Sequence, residues 1–90
     1  MRKLMTVRWR GIVQNRYVAL GPCVVIDDLG DLRIGDPLLL RRPDGTSVES
    51  KVEDLFRSGM LEPPGKSILL HDNVGLDDVP RGTEVWSVRN

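Results

Sequence analysis

The sequence predicts an all-β fold, a small closed antiparallel barrel of six or seven strands, and three observations predict it. Apolar runs of strand length recur along the chain, Leu38-Leu39-Leu40 and Ile68-Leu69-Leu70 most clearly. Glycine, proline and aspartate break these runs at Gly21-Pro22, Asp27-Asp28-Leu29-Gly30-Asp31, Pro43-Asp44-Gly45 and Pro80-Arg81-Gly82, which is the chemistry of tight turns. The apolar residues are mostly aliphatic, with only four aromatic side chains (Trp9, Tyr17, Phe56, Trp86), as suits a small β-core. Closure would remove the unpaired edges that a row of such strands leaves. Ninety residues make one domain, 1–90, with one modest core.

Taken in order, Met5-Thr6-Val7-Arg8-Trp9-Arg10 alternates apolar and polar with period two, so it reads as a half-buried strand. Met5, Val7 and Trp9 are expected inside, and Thr6, Arg8 and Arg10 outside. Gln14-Asn15 is a hairpin turn into Tyr17-Val18-Ala19-Leu20. Gly21-Pro22 bends the chain into Cys23-Val24-Val25-Ile26, a continuous apolar run of strand length. Asp27 to Asp31 reads as a turn, and Leu32 to Pro37 leads into Leu38-Leu39-Leu40-Arg41-Arg42. Pro43-Asp44-Gly45-Thr46 is the clearest turn of all.

Ser47 to Arg57 follows as a long strand with Val48, Val52 and Leu55 or Phe56 inward. Its alternation fails at Glu53-Asp54, which predicts a bulge there, and a helix over 49–57 is the competing reading. Ser58 to Pro64 is a loop, Ile68 to Leu70 a core strand, Leu76 to Val79 one helical turn, and Thr83 to Val88 the closing strand.

Formal charge sums to zero, yet it is unevenly placed. Residues 1–26 hold Arg2, Lys3, Arg8, Arg10 and Arg16 and no acid, a local +5; residues 27–90 hold eight bases and thirteen acids, a local −5. Two readings follow: strands of the two parts pair and neutralise each other, or the basic part presents a face to phosphate. Cys23 stands alone, which leaves no intramolecular disulfide and no cysteine metal site, and its apolar neighbours predict a small buried hydrophobe. No apolar run has the length of a membrane span, and Arg8 and Arg10 interrupt any signal-peptide core behind Met1-Arg2-Lys3, so the expectation is a cytoplasmic protein.

Three segments in order resemble the second domain of the translational GTPases, the Greek-key β-barrel that follows the G domain in elongation factor Tu. They are Gly30-Asp31-Leu32-Arg33-Ile34-Gly35-Asp36, then Ser50-Lys51-Val52-Glu53-Asp54-Leu55-Phe56, then Gly65-Lys66-Ser67-Ile68-Leu69-Leu70 with Asp77-Asp78-Val79-Pro80-Arg81-Gly82-Thr83. The resemblance covers about residues 21–88 and implies a barrel without its G domain. It places Glu62 near a family glutamate that helps hold the aminoacyl end of tRNA, although Pro63-Pro64 stand where the accompanying arginine would come. Gly30, Gly35, Gly65 and Gly82 each sit at a strand boundary, where a tight turn favours positive φ. Arg81 is placed to satisfy a carbonyl or the Asp77-Asp78 carboxylates.

Catalytic and metal chemistry finds no pattern. Gly65-Lys66-Ser67 imitates the end of a phosphate loop, but the glycine five residues earlier is replaced by Met60, so neither nucleotide nor cofactor is expected. His71 is the single histidine and has no serine or cysteine motif beside it; in a polar turn it is expected to be solvated. The expected function is a non-enzymatic binding module. By resemblance it would touch RNA or the ribosome, with Arg8, Arg10, Arg16, Arg41 and Arg42 as the contact candidates. The alternative is a protein–protein adaptor or a homodimerising accessory domain for a separate chain.

Overall fold

The computed structural model describes residues 1–58 and 65–88, and these form eight antiparallel strands with one short helix. The strands are β1 (Arg2–Thr6), β2 (Trp9–Val13), β3 (Tyr17–Gly21), β4 (Val24–Val25), β5 (Pro37–Arg41), β6 (Ser47–Ser58), β7 (Gly65–Leu70) and β8 (Glu84–Ser87). Helix α1 is a single turn, Ile26–Leu29, and a 3₁₀ turn spans Leu76–Asp78. The sheet runs β1-β8-β5-β6-β7-β3-β2, with β4 paired to β7 off that path, and it curls into a half-barrel. Among the described residues no helix is long and apolar enough to cross a membrane.

Eight strands exceed the expected six or seven, and of two departures from the sequence reading the first accounts for the extra one. The predicted strand over Met5–Arg10 is broken at Val7-Arg8, where the chain changes neighbours. Before the break β1 pairs β8, and after it β2 pairs β3. At the break the Val7 N–H donates to Thr83 O (2.8 Å), the Gly82 N–H donates to Val7 O (2.8 Å), and the Arg8 N–H donates to Gly21 O (2.8 Å). Met5 and Val7 are buried as predicted, but Trp9 faces outward and is 52% exposed. The second departure is the run from Cys23: only Val24–Val25 is strand, and Cys23 is half-buried rather than buried. Ile26, Asp27 and Asp28 go into α1, which stops at Gly30 with φ 59°.

The long strand β6 is a strand throughout, not a helix, and its register shifts between Val52 and Asp54, where the alternation fails. That extra residue resets the inward face. Val52 is buried before it and Leu55 packs on the core after it, whereas Phe56 is 39% exposed. With its first half β6 pairs β5 and with its second half β7, so the bulge lets one strand serve both sides of the curl.

Leu20, Leu38, Leu40, Ile68, Leu70 and Val85 lie at the centre of the core with no exposed surface. No aromatic side chain belongs to this core or to its partly buried fringe of Leu32, Val48, Leu55 and Leu76. All four aromatics are thus outside it. Gly30, Gly35 and Gly82 have positive φ as expected, but Gly65 does not. There the need is close approach, since a Cβ at Gly65 would sit 2.6 Å from the Val24 carbonyl oxygen.

Candidate binding surface on the β2–β3 hairpin

The hairpin of β2 and β3 closes through Gln14 (φ 57°) and Asn15 (φ 55°), both left-handed, as the Gln14-Asn15 turn requires. Its register is regular, from Trp9↔Gly21 to Val13↔Tyr17. Trp9 lies across Gly21 so closely that a Cβ there would fall inside the indole. The indole is therefore seated on the outer surface by its cross-strand glycine. Ile12, on the other face of β2, is 46% exposed. With β3 on one side only, β2 ends the strand path, and every second residue directs its N–H and C=O away from β3.

The five arginine candidates scatter, and four are engaged within the fold. Arg10 Nε donates to Val79 O (2.8 Å). Arg42 Nε donates to Asp78 O (2.8 Å), its Nη2 lies 3.4 Å from Asp78 Oδ1, and its Nη1 donates to Thr46 Oγ1 (3.2 Å). These two therefore hold the loop at Asp78-Val79, the role expected of Arg81, which is itself exposed. Arg41 lies over the Trp86 ring at 5.7 Å, on the side of the sheet where Lys3 pairs Glu84 at 3.2 Å. Arg16 pairs Asp72 at 3.0 Å and lies over Tyr17 at 5.4 Å; the Asp72 hydrogen bond, before the nearby Tyr17, holds its guanidinium above the ordinary range. Only Arg8 is exposed with no side-chain partner among the described residues. Glu62 lies outside the described residues.

His71 is not simply solvated. Its Nδ1 is 3.0 Å from Glu53 Oε1 and its Nε2 is 3.2 Å from Asp72 Oδ1, and both are donated hydrogen bonds only when the ring carries both protons. Among the described residues no group of histidine, cysteine and carboxylates is arranged to hold a metal. A shallow pocket of about 300 Å³ adjoins His71, lined also by Glu49, Ser50, Lys51 and Asn73. Its amide is already spent: Ser50 Oγ donates to Asn73 Oδ1 (2.9 Å) and Asn73 Nδ2 donates to Glu49 O (2.9 Å). Gly65-Lys66-Ser67 opens strand β7, and Ser67 Oγ donates to Leu20 O (2.7 Å), so the segment is used in pairing the sheet.

The sequence reading missed the outward Trp9 because a single alternation was carried through the break at Val7-Arg8. The available signal was Gly21, a glycine spaced to lie opposite an aromatic in the hairpin. No protein-family model, curated protein or solved structure matches the chain. The likeness to the translation-factor barrel rests on the three segments that carry it.

Proposed function

We propose that this chain is a non-enzymatic binding module, an adaptor that takes up an extended segment of a partner protein along the free edge of β2. The observation that carries the reading is the contrast among strands with one paired neighbour, of which the described residues include three. β1 carries Arg2 and Lys3 and a register break after Lys3, and β4 is two residues long and follows Pro22. Those are the devices that blunt an edge. β2 has regular pairing, no lysine or proline, and two large apolar side chains in solvent. An edge of this kind offers main-chain hydrogen bonds for affinity and side-chain contacts for selection.

The engagement of Arg10, Arg16, Arg41 and Arg42 within the fold favours a protein partner over RNA. The RNA reading keeps one observation: Arg8 is exposed next to an exposed Trp9, a guanidinium beside a stacking surface. In this reading the half-barrel stays open at β2, and the translation-factor likeness goes with the RNA reading.

The test is a titration of the protein with a short peptide of alternating valine and threonine, followed by backbone amide NMR. Shifts should centre on residues 9–13 and vanish when alternate peptide nitrogens are methylated. Shifts elsewhere, or none, would overturn the edge reading. In parallel, single-stranded RNA at low salt should leave the spectrum unchanged. If it binds, and Arg8→Ala lowers the log–log salt slope by about 0.7, RNA replaces the peptide as the ligand.

A further inference from the structure

We infer that the segment received on β2 is acidic: an extended strand with an apolar residue against Ile12 and carboxylates that reach Arg8 and Arg16. This rests on the edge reading and adds the chemistry of the partner. The hairpin region carries three guanidiniums, of Arg8, Arg10 and Arg16, and among the described residues one carboxylate, Asp72, is hydrogen-bonded to them. Arg8 has no side-chain partner among the described residues, and Arg10 bonds a neutral carbonyl, Val79 O, rather than a carboxylate. Arg16 meets Asp72 through Nε alone, and its side chain is 63% exposed. The whole of residues 1–26 adds two more bases and no acid.

The same charges argue against a second copy of this chain as the occupant. Two β2 strands paired antiparallel about Gly11 would set Arg8 of one beside the hairpin tip of the other, where Arg16 stands, and like charges across an interface suppress pairing. An acidic strand meets the opposite situation. Its carboxylates fall against exposed guanidiniums at the two ends of β2, while its middle meets Gly11, where a Cβ would find nothing within 4 Å. The open space there leaves room for a partner side chain.

Two peptides with the same alternating valine–threonine middle test this, one flanked at both ends by glutamate and the other by lysine. The glutamate peptide should bind about tenfold tighter at low salt, with the difference shrinking as salt is added. Arg8→Glu should reverse or abolish the preference without changing the melting temperature, since only the Arg8 backbone, not its side chain, bonds within the described fold. Equal binding of both peptides would leave the edge reading standing and overturn the acidic partner. Binding of neither would overturn both. Self-association, seen by sedimentation and abolished by Ile12→Asp, would assign the edge to a second copy instead.

Discussion

Arg8 and Arg10 are two positions apart in the sequence and have different tasks in the fold. Arg10 supplies a charged donor to the Val79 carbonyl, and Val79 is fully buried. Hydrogen bonds to charged groups contribute about 1.5–3 kcal/mol, so Arg10→Ala should lower unfolding free energy by about 1–2 kcal/mol after allowance for its partial exposure. Arg8→Ala should stay within about 0.5 kcal/mol. Urea unfolding of the two variants separates them, and equal effects would mean that the break at Val7-Arg8 is misplaced. A glycine pair gives the same kind of contrast. Gly65→Ala drives a methyl into the Val24 carbonyl and should cost about 1–3 kcal/mol, whereas Gly11→Ala meets open space and should be neutral or stabilising by about 0.5 kcal/mol.

Strand β6 shows how one inserted residue decides which side chains matter. Ahead of the shift the buried positions are Ser50 and Val52; beyond it the inward position is Leu55. Leu55→Ala should therefore destabilise by about 1–2 kcal/mol, at the low end for a leucine because the site is only partly buried. Phe56→Ser removes a larger side chain from solvent-facing surface and should cost less than about 1 kcal/mol. The reverse order in a denaturation series would place the bulge on the wrong residue. The Leu76–Asp78 turn makes a related point. It is capped locally by Asp78 Oδ2 accepting the Gly75 N–H (2.8 Å), but its exit is held by Arg42, just past β5, and by Arg10 on β2, both far away in the chain. That turn should loosen when either arginine is removed, even though its own sequence is intact.

Across the molecule, the uneven charge is partly absorbed in pairs between distant parts of the sequence, Lys3 with Glu84 and Arg16 with Asp72. Such exposed pairs contribute little at neutral pH. Their signature is acid sensitivity. Glu84 lies below the usual carboxylate range because the Trp86 indole N–H and then Lys3 donate to it, and Asp44 does so because the Thr46 hydroxyl and N–H donate to it. A depressed carboxylate contributes stability that is present above its unfolded-state value and lost as the pH falls through its folded value. Unfolding free energy should thus be level above about pH 5 and decline below about pH 4.5, through the carboxylate range. Glu84→Gln should flatten part of that decline, and an unchanged pH profile would remove Glu84 from the account.

Much of this was legible in the chain of letters, for a local reason: turns and alternation depend on near neighbours. Gln14-Asn15, Pro43-Asp44-Gly45-Thr46, the irregularity at Glu53-Asp54 and the helical turn at Leu76 each carry their geometry in a few consecutive residues, and each is where the sequence puts it. The outward face of Trp9, the strand break at Val7-Arg8 and the tasks of Arg10 and Arg42 were not legible. Each depends on a partner on a different element: Gly21 under the indole, Thr83 on the Val7 amide, Val79 and Asp78 against the guanidiniums. An arginine two residues from another looks the same in sequence whether it faces water or a carbonyl from the far end of the chain. Packing of the curled sheet makes that choice, because only there do residues 69 apart come within hydrogen-bond reach.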